Sequence, residues 1–269
     1  MTSAGMAISA ENARHLDETY RAFKETGYVV FERAIPASVI AEMRRVFDDY
    51  FIEFRKQKPH LKRVLMHLPF KAPLYHSLFV EHPAVLDIAK RALGQDFLCA
   101  YFGSETALPG ADYMEPHFDL AFLKTLRFLN PLLSLVNKTA GTVGYYYGIH
   151  VSVPLVDAGL ENAPFEIWPR TNRLSLTQSK PEKVLMPAGS LMVRDIRNLH
   201  RGTPHVGNLP RPFLSLVYLR PWTPGWRAPE IPAEVYQSLS PQMQKMFRHA
   251  PIGEPVPDPS AWAVRRRNL

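Results

Sequence analysis

Apolar positions recur at helical spacing through the first third of the chain and at strand spacing after it. Between Glu11 and Glu25, the residues Ala13, Leu16, Tyr20 and Phe23 share one stripe, which ends at Thr26-Gly27 where a glycine can cap a helix. A strand through Tyr28-Val29-Val30-Phe31 follows. Pro36 then starts a long helix, since proline suits a first turn, with Val39, Ile40, Met43, Val46, Phe47, Tyr50 and Phe51 on one side. Helices also fit Leu74 to Glu81 and Pro83 to Leu93, the second stopped by Gly94.

From Phe97 onward short apolar stretches are punctuated by Gly, Pro and Asn: Phe97 to Phe102, Tyr145 to Leu155, Phe165 to Trp168, Lys183 to Met186, Leu191 to Val193 and Phe213 to Leu219. Helices first and strands afterwards predict an α+β domain built on an antiparallel barrel or sandwich. After Pro221-Trp222 the proline-rich tail carries one more predicted helix, Ala233 to Phe247, which can cover the barrel or a partner subunit, the latter making a homodimer.

Size and composition narrow the picture without fixing it. With 269 residues, 46% of them hydrophobic, one domain spanning 1–269 is expected, with the proline-rich tail at 221–269 as an extension. The single cysteine, Cys99, excludes an internal disulfide and a thiolate-rich metal cluster. A formal net charge of +7 is spread along the chain, which predicts a solvated surface, or a funnel for small anions, and no nucleic acid as partner. Neither a secretory leader nor a transmembrane run is evident, so the expectation is a soluble, cytoplasmic protein with no membrane partner.

Candidate chemistry lies in the strand-rich part. His117 and Asp119 are two apart, so on an extended segment their side chains leave the same face, and Pro116 favours an extended residue before it. His200 follows in a polar turn after a short apolar strand. Two imidazoles and one carboxylate can hold one face of a ferrous ion and leave positions open for O2 and an oxidisable co-substrate. Arg211 begins an apolar strand, where a charge needs a buried partner, and its guanidinium fork suits a carboxylate.

Several neighbours compete for roles. Alternation sets Tyr146, Gly148, His150 and Ser152 on one strand face and Tyr145, Tyr147, Ile149 and Val151 on the other; a tyrosine here, Tyr147 or Tyr145, is a candidate to help hold the co-substrate. His205 is expected at the rim. Asp195 and Arg197 are expected to form an internal salt bridge or to support His200. The stretch from Ala121 to Gly144 reads as core packing or as an apolar lid in which Lys124, Leu126 and Phe128 meet substrate.

Over about residues 18 to 220 the chain resembles the phytanoyl-CoA dioxygenase (PhyH-like) family. The resemblance is carried by Gly27-Tyr28-Val29-Val30-Phe31-Glu32-Arg33-Ala34-Ile35-Pro36, by Glu161-Asn162-Ala163-Pro164, by the His117-x-Asp119 pair, and by His200 with Arg211 eleven residues on. Departures are Ala163 in place of a glycine, Arg170-Thr171-Asn172 in place of Gly-Ser-His, and His205 where asparagine is common.

The resemblance implies a double-stranded β-helix, or jelly roll, buttressed by N-terminal helices. It also implies Fe(II) on His117, Asp119 and His200, 2-oxoglutarate on Arg211, and O2 as oxidant. The implied reaction is hydroxylation of a small, hydrophobic natural-product or acyl-type substrate with release of succinate and CO2. A retained carboxylate at Asp119 argues against halogenation. The competing reading is a metal-binding jelly-roll protein that serves as a binding or regulatory module without turnover.

Overall fold

A computed structural model describes residues 10–119, 147–173, 179–223 and 228–253. Its helices are α1 (Ala10–Thr26), α2 (Ala37–Gln57), α3 (Ser77–Val80), α4 (Pro83–Leu93), α5 (Ala233–Ser238) and α6 (Pro241–Met246). Its strands are β1 (Tyr28–Phe31), β2 (Arg63–His67), β3 (Leu98–Ala107), β4 (Gly148–Pro154), β5 (Phe165–Ile167), β6 (Glu182–Val184), β7 (Leu191–Asp195), β8 (His200–Gly202) and β9 (Arg211–Leu219). They form two antiparallel sheets, β1-β7-β4-β9-β3-β2 and β6-β5-β8. The result is the expected α+β jelly roll, open rather than a closed barrel.

Strand alternation divides the large sheet into two environments. Ile149, Val151 and Val153 of β4, Leu191 and Val193 of β7, and Leu214, Leu216 and Tyr218 of β9 pack outward with α2 and α4 in one core. On α2 the matching stripe is Ile40, Met43, Val46, Phe47, Phe51 and Phe54, each worth roughly 1.5–3 kcal/mol of burial. The opposite face of the same strands looks toward the small sheet, and Met192 and Phe213 meet Phe165, Ile167 and Val184 between the two layers.

Four local differences from the sequence pattern have physical reasons. β2 was not expected, because Arg63 and His67 flank its apolar residues; Val64 and Met66 nevertheless face the core. β8 was read as a turn, and it is a strand through pairing with β5 rather than through any apolar pattern of its own. α3 begins only at Ser77, after the Pro73 turn. The tail helix predicted over Ala233 to Phe247 is two helices, because Ser240 caps a new start at Pro241 and Leu239 is extended.

The described part of the tail lies on this chain's own core. Leu239, Met243, Met246 and Phe247 belong to the cluster that α2 and α4 complete, and the Phe247 ring meets Phe70 edge to face at 4.8 Å. At the other end, Gly27 has φ 84 and sits against Asn198, where an added Cβ would come within 2.1 Å of Oδ1. The junction of α1 and β1 therefore presses directly on the turn that leads into His200.

Candidate metal centre

His117 and His200 are brought face to face by backbone pairing. Each donates its N–H to the other's carbonyl, at 2.9 and 3.1 Å, so they form a hydrogen-bonded antiparallel pair whose side chains leave on the same side. The ring centroids lie 4.4 Å apart. Asp119, two residues on, is fixed through its N–H to the carbonyl of Ile196 at 3.2 Å. The three side chains each offer an atom within 4.8 Å of the others.

The backbone also sets which nitrogen each imidazole presents. Nδ1 of His117 lies 2.9 Å from the carbonyl of Glu115, and Nδ1 of His200 lies 2.9 Å from that of Asn198. A carbonyl can only accept, so both Nδ1 atoms carry the proton and both Nε2 atoms keep a free lone pair. Asp119 Oδ1 stands 3.3 Å from Nε2 of His200. Two imidazoles and one carboxylate thus converge, a donor set that suits a ferrous ion.

Electrostatics act on two of these groups, Asp119 and His200. Burial alone would raise the Asp119 carboxyl, yet the Arg194 guanidinium beside it holds it well below the usual carboxylate range. Burial, with Arg194 adding to it, pushes His200 down to about 4 against the pull of Asp119. Arg194 donates to Asp119 Oδ2 at 2.5 Å and to Nδ1 of His150 at 2.5 Å. His150 in turn places Nε2 3.5 Å from Glu105 on β3.

The turn that carries His200 is stiffened from within. Arg197 donates to both carboxylate oxygens of Asp195, at 3.0 and 2.7 Å, and both residues are buried. This is the internal salt bridge expected from sequence. Asn198 donates to the carbonyl of Thr26 at 3.1 Å while its own carbonyl orients His200. Phe165 of β5 stacks on the His200 ring at 5.0 Å and 17°.

Arg211 opens β9 on the inward face, paired with Ala107, and is buried. It donates to the carbonyls of Asn162 and Ala163 at 3.2 and 2.8 Å, and its guanidinium lies 4.0 Å from the centre of the Phe213 ring. Burial pulls its pKa down to about 9, partly offset by Glu105. Ala163 has φ 60 and Arg170 has φ 67. Both substitute for family glycines, yet both keep the left-handed backbone at about 1–2 kcal/mol each.

Tyr147 packs with the cluster of Tyr101, Phe118, Ile196, Val217 and Leu219, and its ring meets Trp222 at 5.7 Å. His205 is not a rim residue: it is buried at 1% exposure, with Nε2 2.9 Å from the carbonyl of Leu209. Lys124, Leu126, Phe128 and Tyr145 lie outside the described residues. Sequence reasoning missed Arg194 and the inward Tyr101, whose hydroxyl pKa rises through burial, then through Glu105 and Asp119. The only available signal for Arg194 was a charge within an apolar strand.

Residues 23–213 match the family described as phytanoyl-CoA dioxygenase (PhyH). The chain is 26% identical over 184 residues to dioxygenase af480 of Aspergillus fumigatus, covering 64% of this chain and 54% of that protein, so it spans about half of that relative's length. The epimerase SnoN, solved in complex with Fe3+, alpha ketoglutarate and nogalamycin RO, superposes with a TM-score of 0.51 at 17% identity, covering 77% of this chain and 84% of its own. HygX from Streptomyces hygroscopicus, solved with nickel and 2-oxoglutarate bound, gives a TM-score of 0.53 at 12% identity over 79% and 89%. At such identities the structural likeness is one of fold. The sequence match, which runs from α1 into β9 and takes in both histidines, Asp119 and Arg211, places this chain in the phytanoyl-CoA dioxygenase (PhyH) family.

Proposed function

We propose that this chain is an Fe(II)- and 2-oxoglutarate-dependent oxygenase that hydroxylates a small, hydrophobic natural-product or acyl-type molecule. His117, Asp119 and His200 hold the iron, and Arg211 anchors the distal carboxylate of 2-oxoglutarate. The observation that carries this reading is that His117, Asp119 and His200 each offer a ligand atom within 4.8 Å of the others. When bound, iron would activate O2, one atom of which would go into succinate as 2-oxoglutarate loses CO2 and the other into the substrate C–H bond.

The protein's own part is electrostatic and steric. Asp119 keeps its charge because Arg194 stands beside it, and His200 stays neutral because it is buried. Arg211 offers a desolvated cation whose attraction for a carboxylate is strengthened by the dry interior. On the same face of β9, the Ser215 hydroxyl is buried with no hydrogen-bond partner among the described residues, which favours a polar ligand there. Phe118, Ile196, Leu199 and Tyr147 pack as an apolar cluster beside the ligand-bearing segments, which favours a hydrophobic substrate. The basic residues are dispersed and no described helix is long and apolar enough to cross a membrane, which fits a small-molecule partner.

The test is an anaerobic titration with Fe(II) and then 2-oxoglutarate, watching for the weak visible charge-transfer band of the chelated co-substrate. The expected result is a band that requires iron and weakens in Arg211→Met. A folded, iron-loaded protein that shows no band would overturn the co-substrate assignment. SnoN shows that an epimerase shares this fold, so product analysis under labelled O2 must accompany the titration. Label in the product marks hydroxylation, and an unlabelled isomer or ring would replace it.

A further inference from the structure

We infer that Arg194, oriented by His150, is a positioning residue that commits the Asp119 carboxylate to metal through Oδ1 alone, granted the reading of Asp119 as a ligand. The guanidinium is 1% exposed and lies inside the jelly roll rather than at its surface. One of its terminal nitrogens donates to Asp119 Oδ2 at 2.5 Å and the other meets His150 Nδ1 at 2.5 Å. Its face is covered by the Phe165 ring at 5.2 Å, the same ring that stacks on His200. One phenyl group thus holds both a candidate ligand and the cation beside another.

Donor and acceptor rules fix the direction of this chain of contacts. Arginine can only donate, so Nδ1 of His150 is an acceptor and the imidazole proton sits on Nε2, facing Glu105 at 3.5 Å. His150 Nδ1 also lies 3.5 Å from Asp119 Oδ2, but with no proton to give it makes no hydrogen bond there. Arg194 is therefore the bridge between them. With Oδ2 held by the arginine and Oδ1 turned toward His200 at 3.3 Å, the carboxylate cannot swing to offer both oxygens without breaking a charge-assisted bond. A carboxylate bound through both oxygens would occupy a coordination position that a chelating co-substrate needs.

An arginine that merely neutralises a buried carboxylate would look similar in a stability measurement, so the coordination mode is the decisive readout. The experiment loads wild type, Arg194→Met, Arg194→Lys and His150→Gln with Co(II). It follows the cobalt ligand-field spectrum and the splitting of the carboxylate stretching bands by infrared difference. In wild type the wide splitting of a one-oxygen carboxylate is expected. In Arg194→Met the splitting narrows, the ligand-field bands shift, and 2-oxoglutarate affinity falls about tenfold.

Arg194→Lys, which keeps a donor near Oδ2, restores the wide splitting. His150→Gln, whose amide oxygen can still accept from Arg194, stays close to wild type. An Arg194→Met protein with wild-type spectra and splitting would overturn the inference, leaving charge neutralisation as the whole role. Should Arg194→Met fail to fold, Arg194→Gln, whose shorter amide falls short of Oδ2, decides: a narrowed splitting is expected, and one as wide as in wild type would overturn the proposal. Failure of wild type to bind Co(II) at all is a different result, which strikes the metal reading itself.

Discussion

The two faces of the large sheet are equally buried and chemically opposite. Outward, Ile149, Val151, Leu214, Leu216 and Tyr218 meet the helices as an apolar core. Inward, the same two strands and β7 present His150, Ser152, Arg194, Arg211 and Ser215, all at 5% exposure or less. Burial therefore does not separate scaffold from site here; pairing does. Each inward charge is met by a specific group, Arg194 by Asp119 and His150, Arg211 by two backbone carbonyls. A residue on the outer face contributes through the area it hides, whereas one on the inner face contributes through the atom it aims.

Breaking that distinction is most direct at His117, whose backbone pair with His200 survives loss of the ring. His117→Ala should cut turnover at least about a thousandfold, the scale of losing metal chemistry worth several kcal/mol. Thermal unfolding of the metal-free variant should stay near that of wild type. A variant that retains iron and activity would remove His117 from the site. The counterpart on the other face is Leu216→Ala, which deletes a fully buried side chain from the helix-packed core. It should cost about 3 kcal/mol by denaturant titration while leaving turnover of the folded protein within about twofold. A collapse of activity without loss of stability would mean the two faces are not independent.

Arg211 sharpens the comparison from within the site. Arg211→Met keeps length and removes the cation, so half-saturation by 2-oxoglutarate should rise about a hundredfold, as expected for losing a charge-assisted pair. The maximal rate at saturating co-substrate should change far less. An unchanged half-saturation would assign the anchor to another cation, and Arg63 on β2, also facing inward at the rim, would be the next to replace.

How much of this could be read from sequence follows the same division. The outer face was legible because it is written in periodicity: the stripe of α2, the start of α4 at Pro83, and the strands β1, β4, β7 and β9 all follow from apolar spacing. His117, Asp119, His200 and Arg211 were legible because their spacing is chemical. Arg194 was not, since a charge in Leu-Met-Val-Arg-Asp shows its meaning only once the inward face of β7 is known. β8 escaped because three polar-flanked residues become a strand only against β5. The left-handed backbone at Ala163 and Arg170 escaped because neither residue advertises it.

The smallest effect concerns pH, and it separates the faces without any metal present. His200 is held near 4 in the folded chain, below the ordinary value of 6.5, chiefly by burial. As pH falls below 6.5 the unfolded chain takes up a proton on this imidazole and the folded chain does not, so stability declines until the folded group also titrates near 4. Between pH 6.5 and 5 the loss should be about 1.6 kcal/mol. Because other groups titrate in the same range, the measured quantity is the difference between wild type and His200→Gln in apo-protein denaturation curves. That difference should shrink as pH falls, whereas Leu216→Ala should run parallel to wild type at every pH. A pH-independent gap for His200→Gln would mean that the folded state accepts the proton as readily as the unfolded one, and that Arg194 and burial do not keep this imidazole ready for metal.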